Sequence, residues 1–232
     1  SVDMILADLP YGTTACKWDT IIPFEPLWAE YKRIIKPNGA IVLTASQPFT
    51  SALVMSNPKM FKQNLVWKKN KSTGFLNAKK QHLRQHEDVL VFYKKQCLYN
   101  PQKTTGHKPV NSFTKHTTDG ETMGKTRQGV SGGGQTDRYP TSILEFAVVN
   151  QDGTNEDRFH PTQKPVALFE YLIKTYTNEG DLVLDNVAGS GITGVACQNL
   201  NRNFILMEQE PEYVEIIKKR LESNKKQLEA EL

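Results

Sequence analysis

The chain of 232 residues is 38% apolar and 23% charged, with a formal net charge of +4 and a mean hydropathy of −0.52. That length buries a core for one domain, or for one domain with an insert, and no apolar run approaches the roughly 20 residues that span a bilayer. Cys16, Cys97 and Cys197 are odd in number and far apart, which fits neither a disulfide framework nor a zinc pattern and suits reduced thiols in a cytoplasmic compartment. The chain opens with Ser1 directly at an apolar run, without a charged-apolar-small leader, and reads as a processed or trimmed piece. The net charge conceals an asymmetry: residues 59–127 carry 15 Lys/Arg against 4 Asp/Glu, a net of +11, while the remainder nets −7. A solvated face is the ordinary meaning of a charge run, but an excess this concentrated suggests a polyanion partner, most simply nucleic acid.

In chain order, Val2–Ala7 has the length and apolarity of a buried strand and runs into Asp8-Leu9-Pro10-Tyr11-Gly12. Phe24–Ile35 carries Leu27, Trp28, Tyr31, Ile34 and Ile35 at helical spacing and is closed by Pro37-Asn38-Gly39. Ala40–Thr44 reads as a strand, Pro48–Met55 as a short helix, and Phe61–Lys68 and Asp88–Tyr93 as strands. Strands separated by helices predict a parallel α/β sheet. From Lys95 to Asp157 periodicity fades into Gly, Thr, Ser, Asn and Gln, the mark of a functional insertion or of disorder. Regular signals return as a helix over Pro165–Thr177, a strand over Asp181–Leu184, a helix over Thr193–Asn199, a strand over Phe204–Met207 and a helix over Glu212–Lys226. The resulting division is 1–96, an insert at 97–157, and 158–232.

The segment Asp185–Gly194, DNVAGSGITG, lies between a predicted strand and a predicted helix. Gly189, Gly191 and Gly194 satisfy G-x-G-x-x-G, and Glu208 at the end of the next strand suits a ribose, so a dinucleotide site is a genuine rival. Asp185 tilts the choice. A carboxylate beside the loop repels a pyrophosphate and attracts an amino group. S-adenosylmethionine offers an ammonium, a sulfonium and a ribose diol but no phosphate, and Asp185, Gly189-Ser190-Gly191 and Glu208 meet those needs in order.

Asp8-Leu9-Pro10-Tyr11 resembles the D-P-P-Y motif of amino-group DNA methyltransferases. His160–Lys164, HPTQK, followed by a helix and then Asp185–Thr193, resembles that family's cofactor half, usually D-P-F-x-G-S-G-T, and Phe204–Arg220 resembles the strand and helix that follow. Catalytic motif, variable insert, then cofactor loop is the order of the β-group of these enzymes. The resemblance covers nearly the whole chain except the insert. The chain departs from the pattern at Leu9, in place of the first proline, and at Asn186, Val187 and Ile192, in place of Pro, Phe and Thr. The carboxylates and glycines remain.

The resemblance implies a Rossmann-like α/β sheet, mostly parallel with helices on both faces, and transfer of a methyl group from S-adenosylmethionine to the exocyclic N6 of a flipped-out adenine in double-stranded DNA. The Asp-initial motif leans toward adenine. Cytosine-N4 transfer, an NAD-dependent oxidoreductase resting on the glycines, and a DNA-binding module with a vestigial site are the alternatives. A free Asp, with a pKa near ~3.9, cannot deprotonate such an amine beforehand but can accept its hydrogen bond. Asp8 and the Leu9 carbonyl would hold the amine, Pro10 would fix the chain at Leu9, and Tyr11 would stack on the base.

Asp185, Asn186, Val187, Gly189, Ser190, Gly191, Thr193 and Glu208, with His160, Thr162 and Lys164, are the expected cofactor set, Lys164 holding the methionine carboxylate. Trp18, Asp19 and Trp67 are expected to line the target-base pocket, a buried structural Trp67 being an equal reading. Lys68, Lys69, Lys125, Arg127 and Arg138 are expected on DNA, the insert supplying target recognition. His82 and His86 alone share helical spacing, so no metal is expected. The resemblance leaves room for a homodimer, a cognate restriction endonuclease and association with a bacterial or phage nucleoid, and implies no membrane.

Overall fold

The computed structural model describes residues 1–14, 16, 19–114, 119–120, 124–125, 129–149 and 163–230. Two compact units emerge, Ser1–Asn100 with Ser142–Leu232, and Pro101–Thr141. The chain runs through β1 (Val2–Ala7), α1 (Phe24–Ile34), β2 (Ile35–Ala45), α2 (Phe49–Ser56), β3 (Phe61–Thr73) and β4 (Arg84–Phe92). The second unit holds the short strands β5 (Phe113–Thr114), β6 (Asp119–Gly120), β7 (Gly124–Lys125) and β8 (Ser131–Gly132). The first unit then resumes with β9 (Ile143–Glu145), α3 (Val166–Tyr176), β10 (Leu182–Asp185), α4 (Ile192–Asn199), β11 (Asn203–Leu206) and α5 (Pro211–Ala230).

The first unit is built on a seven-stranded sheet in the order β11-β10-β1-β2-β4-β3-β9. Every neighbouring pair is parallel except the two that involve β4, so β4 alone runs against the rest. The sheet is therefore mostly parallel, as expected, with a β3–β4 hairpin set into it. Side chains alternate between two buried layers. Met4 and Leu6 of β1 face a layer containing Leu168 and Leu172 of α3 and Val195 and Ala196 of α4. Ile5 and Ala7 face the opposite layer, with Leu27, Trp28 and Tyr31 of α1 and Leu53 of α2. Helices thus cover both faces, which is why β1, β2 and β4 are continuous apolar runs.

Three boundaries differ from the sequence reading. β2 begins at Ile35 and passes through Pro37-Asn38-Gly39, because a register shift between Val2 and Met4 of β1 absorbs the irregular stretch. β3 continues to Thr73 and β4 starts at Arg84, since their polar ends pair with each other beyond the apolar core. The second compact unit is narrower than the 97–157 span: Cys97 packs in the core of the first unit, and β9 adds to the main sheet beside β3. Among the described residues no helix is long and apolar enough to cross a membrane.

Within the second unit, Arg138 ties the chain together by donating to the carbonyls of Lys108 at 2.5 Å, Gln135 at 3.0 Å and Asp137 at 2.8 Å. Lys103 reaches Asp137 at 2.7 Å and lies 4.4 Å from the centroid of the Tyr139 ring.

The third glycine of the loop motif has a packing reason. A Cβ on Gly194 would lie 2.8 Å from Leu206 of β11 and 2.9 Å from Leu221 of α5. Gly194→Val is expected to lower stability by about 1–3 kcal/mol, read as a drop in the urea midpoint, because a β-branched residue overpacks this junction.

Candidate active site

The position of the site follows from topology. From β1 the chain crosses through α1 to β2 on one side; from β10 it crosses through α4 to β11 on the other. The strand order therefore reverses between β10 and β1, and a crevice opens at their carboxyl ends. A cleft of about 490 Å³ occupies it, lined by Asp8-Leu9-Pro10-Tyr11, Asp19, Lys164, Asp185–Ser190, Glu208 and Tyr213. The catalytic-type motif and the glycine loop, distant in sequence, share this one cavity.

Asp8 stands at the end of β1 with both oxygens engaged. Oδ1 accepts from the Tyr11 hydroxyl at 2.8 Å and from the hydroxyl of Thr44 on β2. Oδ2 accepts from Lys164 Nζ at 2.7 Å. Lys164, only 4% exposed, also lies 3.2 Å from Glu87 of β4, and Glu87 pairs in turn with Lys69 of β3. Burial pushes the Lys164 ammonium down, but Asp8 and Glu87 outweigh it and hold its pKa above the ordinary lysine value. Burial pushes Glu87 up, and Lys164 and Lys69 outweigh that and hold it below the usual carboxylate range. The Tyr11 ring stacks on Phe49 with centroids 5.3 Å apart. Its phenol is held well above the ordinary tyrosine value by burial and by the charges of Asp8 and Glu87. Asp19 shapes the turn beyond the motif, accepting from the backbone N–H groups of Gly12 at 2.8 Å, Thr13 at 2.9 Å and Thr14 at 2.6 Å. Burial raises its pKa, but the Thr14 side chain and those N–H groups prevail and hold it low.

On the other wall, Asp185 ends β10 at 3% exposure, accepting from the Thr193 hydroxyl at 2.5 Å and the Val187 N–H at 3.1 Å. Burial pushes its carboxyl up to about 7; the Thr193 and Val187 bonds oppose the rise, and the charges of Asp8 and Glu208 add to it. Gly191 sits at φ +78°, where a Cβ would come within 3.0 Å of Ile217, so the turn into α4 requires glycine. Glu208 accepts from the Gly189 N–H at 2.8 Å. Arg220 of α5 anchors the loop through the carbonyl and hydroxyl of Ser190, each at 3.2 Å, and the Ser190 hydroxyl donates to Gln163 at 3.2 Å. Tyr31 of α1 donates to Asn186 Oδ1 at 2.6 Å. Two carboxylates beside a glycine loop mismatch a pyrophosphate. A buried carboxyl that resists ionisation has a natural counterpart in an ammonium. The donor set fits S-adenosylmethionine.

Several expected residues sit elsewhere. Lys164 meets Asp8 and Glu87 rather than standing by as a partner for the cofactor's carboxylate, because two partly buried carboxylates draw it there. Trp67 is core: at 2% exposure it donates to the Phe146 carbonyl at 2.9 Å, and Lys69 covers its ring, so it walls no base pocket. Lys69 is buried on Glu87, unlike a free phosphate contact. Lys68 pairs with Glu145 at 2.8 Å on the surface, and the Arg138 guanidinium serves backbone carbonyls. Trp18, Arg127, His160 and Thr162 lie outside the described residues, and Lys125 is described by its backbone alone. Reading by motif passed over Thr44, Glu87, Gln163 and Arg220. Thr44, fully buried in the run AIVLTA, and Glu87, an acid beside an apolar strand after a long basic stretch, each carried a legible signal: polarity where burial is expected.

A family model described as DNA methylase, N6_N4_Mtase, matches residues 2–219. M.HpaI, a type II methyltransferase of Haemophilus parainfluenzae, is 30% identical over 96% of this chain and 69% of its own length. The DNA adenine methyltransferase YhdJ of Escherichia coli strain K12 is 29% identical over 96% of this chain and 76% of its own. The crystal structure of an M1.HpyAVI–SAM complex superposes with a TM-score of 0.63 at 29% identity, covering 95% of this chain and 89% of that one. The cytosine-N4-specific PvuII methyltransferase reaches the same TM-score of 0.63 at 17% identity, a likeness of fold. A match of that extent, on a chain whose D-P-P-Y-like strand and glycine loop meet in one cleft, places the protein in the N6/N4 DNA methylase family of S-adenosylmethionine-dependent enzymes.

Proposed function

We propose that the protein methylates the exocyclic N6 of an adenine flipped out of double-stranded DNA. The observation that carries this reading is the shared cleft, with Asp8 on one wall and Asp185 on the adjacent strand. The choice of adenine over cytosine-N4 draws on the Asp-initial motif and on relatives named as DNA adenine methyltransferases. The unit 101–141 is assigned to target recognition, since in sequence it separates the two halves and its larger part overlaps the basic stretch 59–127.

When bound, S-adenosylmethionine supplies a methyl group made electrophilic by its sulfonium. The chain's own groups do the rest by placement. Asp185 would hold the ammonium, Glu208 the ribose hydroxyls, and the backbone at Gly189–Gly191 would allow close approach. Tyr11, Thr44 and Lys164 fix the rotamer of Asp8, so its remaining lone pairs point into the cleft. Those lone pairs and the Leu9 carbonyl, aimed by Pro10, would accept the two amino hydrogens and turn the nitrogen lone pair outward. As the methyl's bond to sulfur gives way to its bond to nitrogen, leaving a neutral thioether, one amino proton would pass to Asp8 and from there to water. Lys164 acts here as a positioning residue.

Sequencing of DNA methylated in a host free of other methylases tests the function, with N6-methyladenine at one short sequence the expected result and N4-methylcytosine the contrary one. Asp8→Ala should abolish labelled-methyl transfer and leave cofactor affinity within about threefold of wild type, whereas Asp185→Ala should lose cofactor binding. Lys164→Met should lower kcat by tenfold or more, roughly, at similarly unchanged cofactor affinity; parallel weakening of the cofactor would assign Lys164 to the methionine carboxylate instead.

The Asp185 carboxyl sets a pH dependence. Its pKa is raised from 3.8 to about 7 in the fold, so the folded protein holds the proton more tightly than the unfolded chain. Without cofactor, stability from this group is therefore present at low pH and is lost as pH rises from 3.8 toward about 7, a loss that Asp185→Asn should remove in pH-dependent urea titrations. Cofactor affinity should run the opposite way, rising with pH up to about 7 as the carboxylate forms, as read by calorimetry.

A further inference from the structure

The hairpin joining β3 to β4 is not used by the chemistry above, and it has an unusual composition. From Lys68 to His86 there are six Lys/Arg and no Asp or Glu. At its tip, Phe75 is 69% exposed and Leu76 is 101% exposed. The tip is not a loose end. Gly74 turns the chain at φ +90°, Phe75–Asn77 form a 3₁₀ turn, and the Asn77, Ala78 and Lys80 N–H groups donate to the carbonyls of Gly74, Phe75 and Asn77 at 2.9, 3.1 and 2.8 Å.

Its direction matters as much as its chemistry. Thr44, which touches Asp8, pairs with Val89, and Val89 pairs with Leu65 of β3, so Leu65 marks the level of the catalytic carboxylate. From Leu65 the strand runs to Thr73 in the direction of β1, past the carboxyl edge where the cleft opens. At about 3.3 Å per residue this carries the tip roughly 25 Å beyond that level. A held pair of large apolar side chains, on a basic arm, stands forward of the site where a base must be received.

We infer that Phe75 and Leu76 form a wedge that enters the DNA base stack beside the target nucleotide, while lysines of the same arm bind the flanking phosphates. Apolar side chains inserted at a base step unstack it and kink the duplex, which lowers the cost of extruding a neighbouring base. Duplex DNA is the occupant favoured by charge. A symmetric tip-to-tip contact between two copies would set Lys79 and Lys80 of one arm near the same residues of the other, and residues 68–86 carry no acid to offset them. The inference rests on the reading of the protein as an enzyme of duplex DNA, and wild-type transfer to a paired duplex checks that reading by itself.

The test compares wild type with the double variant Phe75→Ser/Leu76→Ser on two duplexes that carry the methylated sequence found above, one fully paired and one mismatched at the target base. The variant should keep its melting temperature and S-adenosylhomocysteine affinity. It should lose about tenfold or more in kcat/KM on the paired duplex and less than about threefold on the mismatched one, where opening is already done. In the same variant, 2-aminopurine at the target position should lose the fluorescence rise given by wild type. Lys79→Gln/Lys80→Gln should flatten the slope of log affinity against log salt by about 1.8, the value for two phosphate contacts. Equal losses on both duplexes, no loss on either, or a change confined to oligomeric mass would overturn the wedge. No transfer by wild type to the paired duplex would instead sink the function on which it rests.

Discussion

The parallel pairing of β1 with β10 is the constraint on which the site depends. It sets Ile5 beside Leu184 and so brings the ends of the two strands, Asp8 and Asp185, to one edge although almost the whole chain separates them. The two connections leave this edge toward opposite faces, which opens the cleft and gives each strand end its own wall. The arrangement has an electrostatic cost, since two carboxylates now share a confined space of low polarity. The protein meets that cost in two different ways. Asp8 has a permanent cation, Lys164, at 2.7 Å. Among the described residues Asp185 meets only the Val187 N–H and the Thr193 hydroxyl, and it holds its proton up to about 7. One wall thus carries a compensated charge, and the other a carboxyl that burial keeps protonated up to about 7.

The pair Gln163-Lys164 joins these walls. Gln163 reaches the hydroxyl of Ser190 in the glycine loop, and its neighbour Lys164 reaches Asp8. A single dipeptide at the entry to α3 therefore couples the glycine loop to Asp8. Lys164 is held by more than Asp8. The chain of charges continues through Glu87 to Lys69 on the hairpin strands, so the base of the projecting arm and the Asp8–Tyr11 motif belong to one partly buried ionic row. Buried ion pairs seldom add much net stability over apolar replacements, and removing one member leaves a stranded charge. A row of four such groups is better understood as fixing geometry than as strengthening the fold.

What could be read from the sequence was what is encoded locally. The apolar runs of β1, β2 and β4, the amphipathic α1 and the glycine loop each carry their own period or turn chemistry, and they fold as those signals indicate. The carboxylates at the strand ends were legible because a charge closing a buried run has few structural explanations. Side-chain partners were not legible. Lys164, Lys69 and Arg138 look alike in sequence to any surface cation, and only the fold decides that the first two meet partly buried carboxylates and the third meets carbonyls. Trp67 beside two lysines resembles a base-stacking wall, yet its strand is central in the hairpin and its ring turns into the core. The reversal at β4 was hidden because the segment between β3 and β4 has no apolar repeat to show whether it crosses over or turns back.

The departures of this chain from its family's motifs also acquire a physical meaning. Leu9, in place of the first proline, is 3% exposed and packs with Leu27, Phe49 and Leu53, while the backbone carbonyl it contributes is aimed by Pro10. Asn186, in place of the loop's proline, is fixed by the Tyr31 hydroxyl, which restores from α1 some of the rigidity a proline would give. Ile192, in place of threonine, opens α4 and is buried in the layer shared with α3, and the hydroxyl that Asp185 accepts from belongs to Thr193. In each case the changed side chain is supported by the core or a neighbouring helix, and Asp8, Asp185, Gly189 and Glu208 still line the cleft. The three departures therefore sit where packing or a helix supports them, and the carboxylates and first loop glycine of the family pattern keep their places in the cleft.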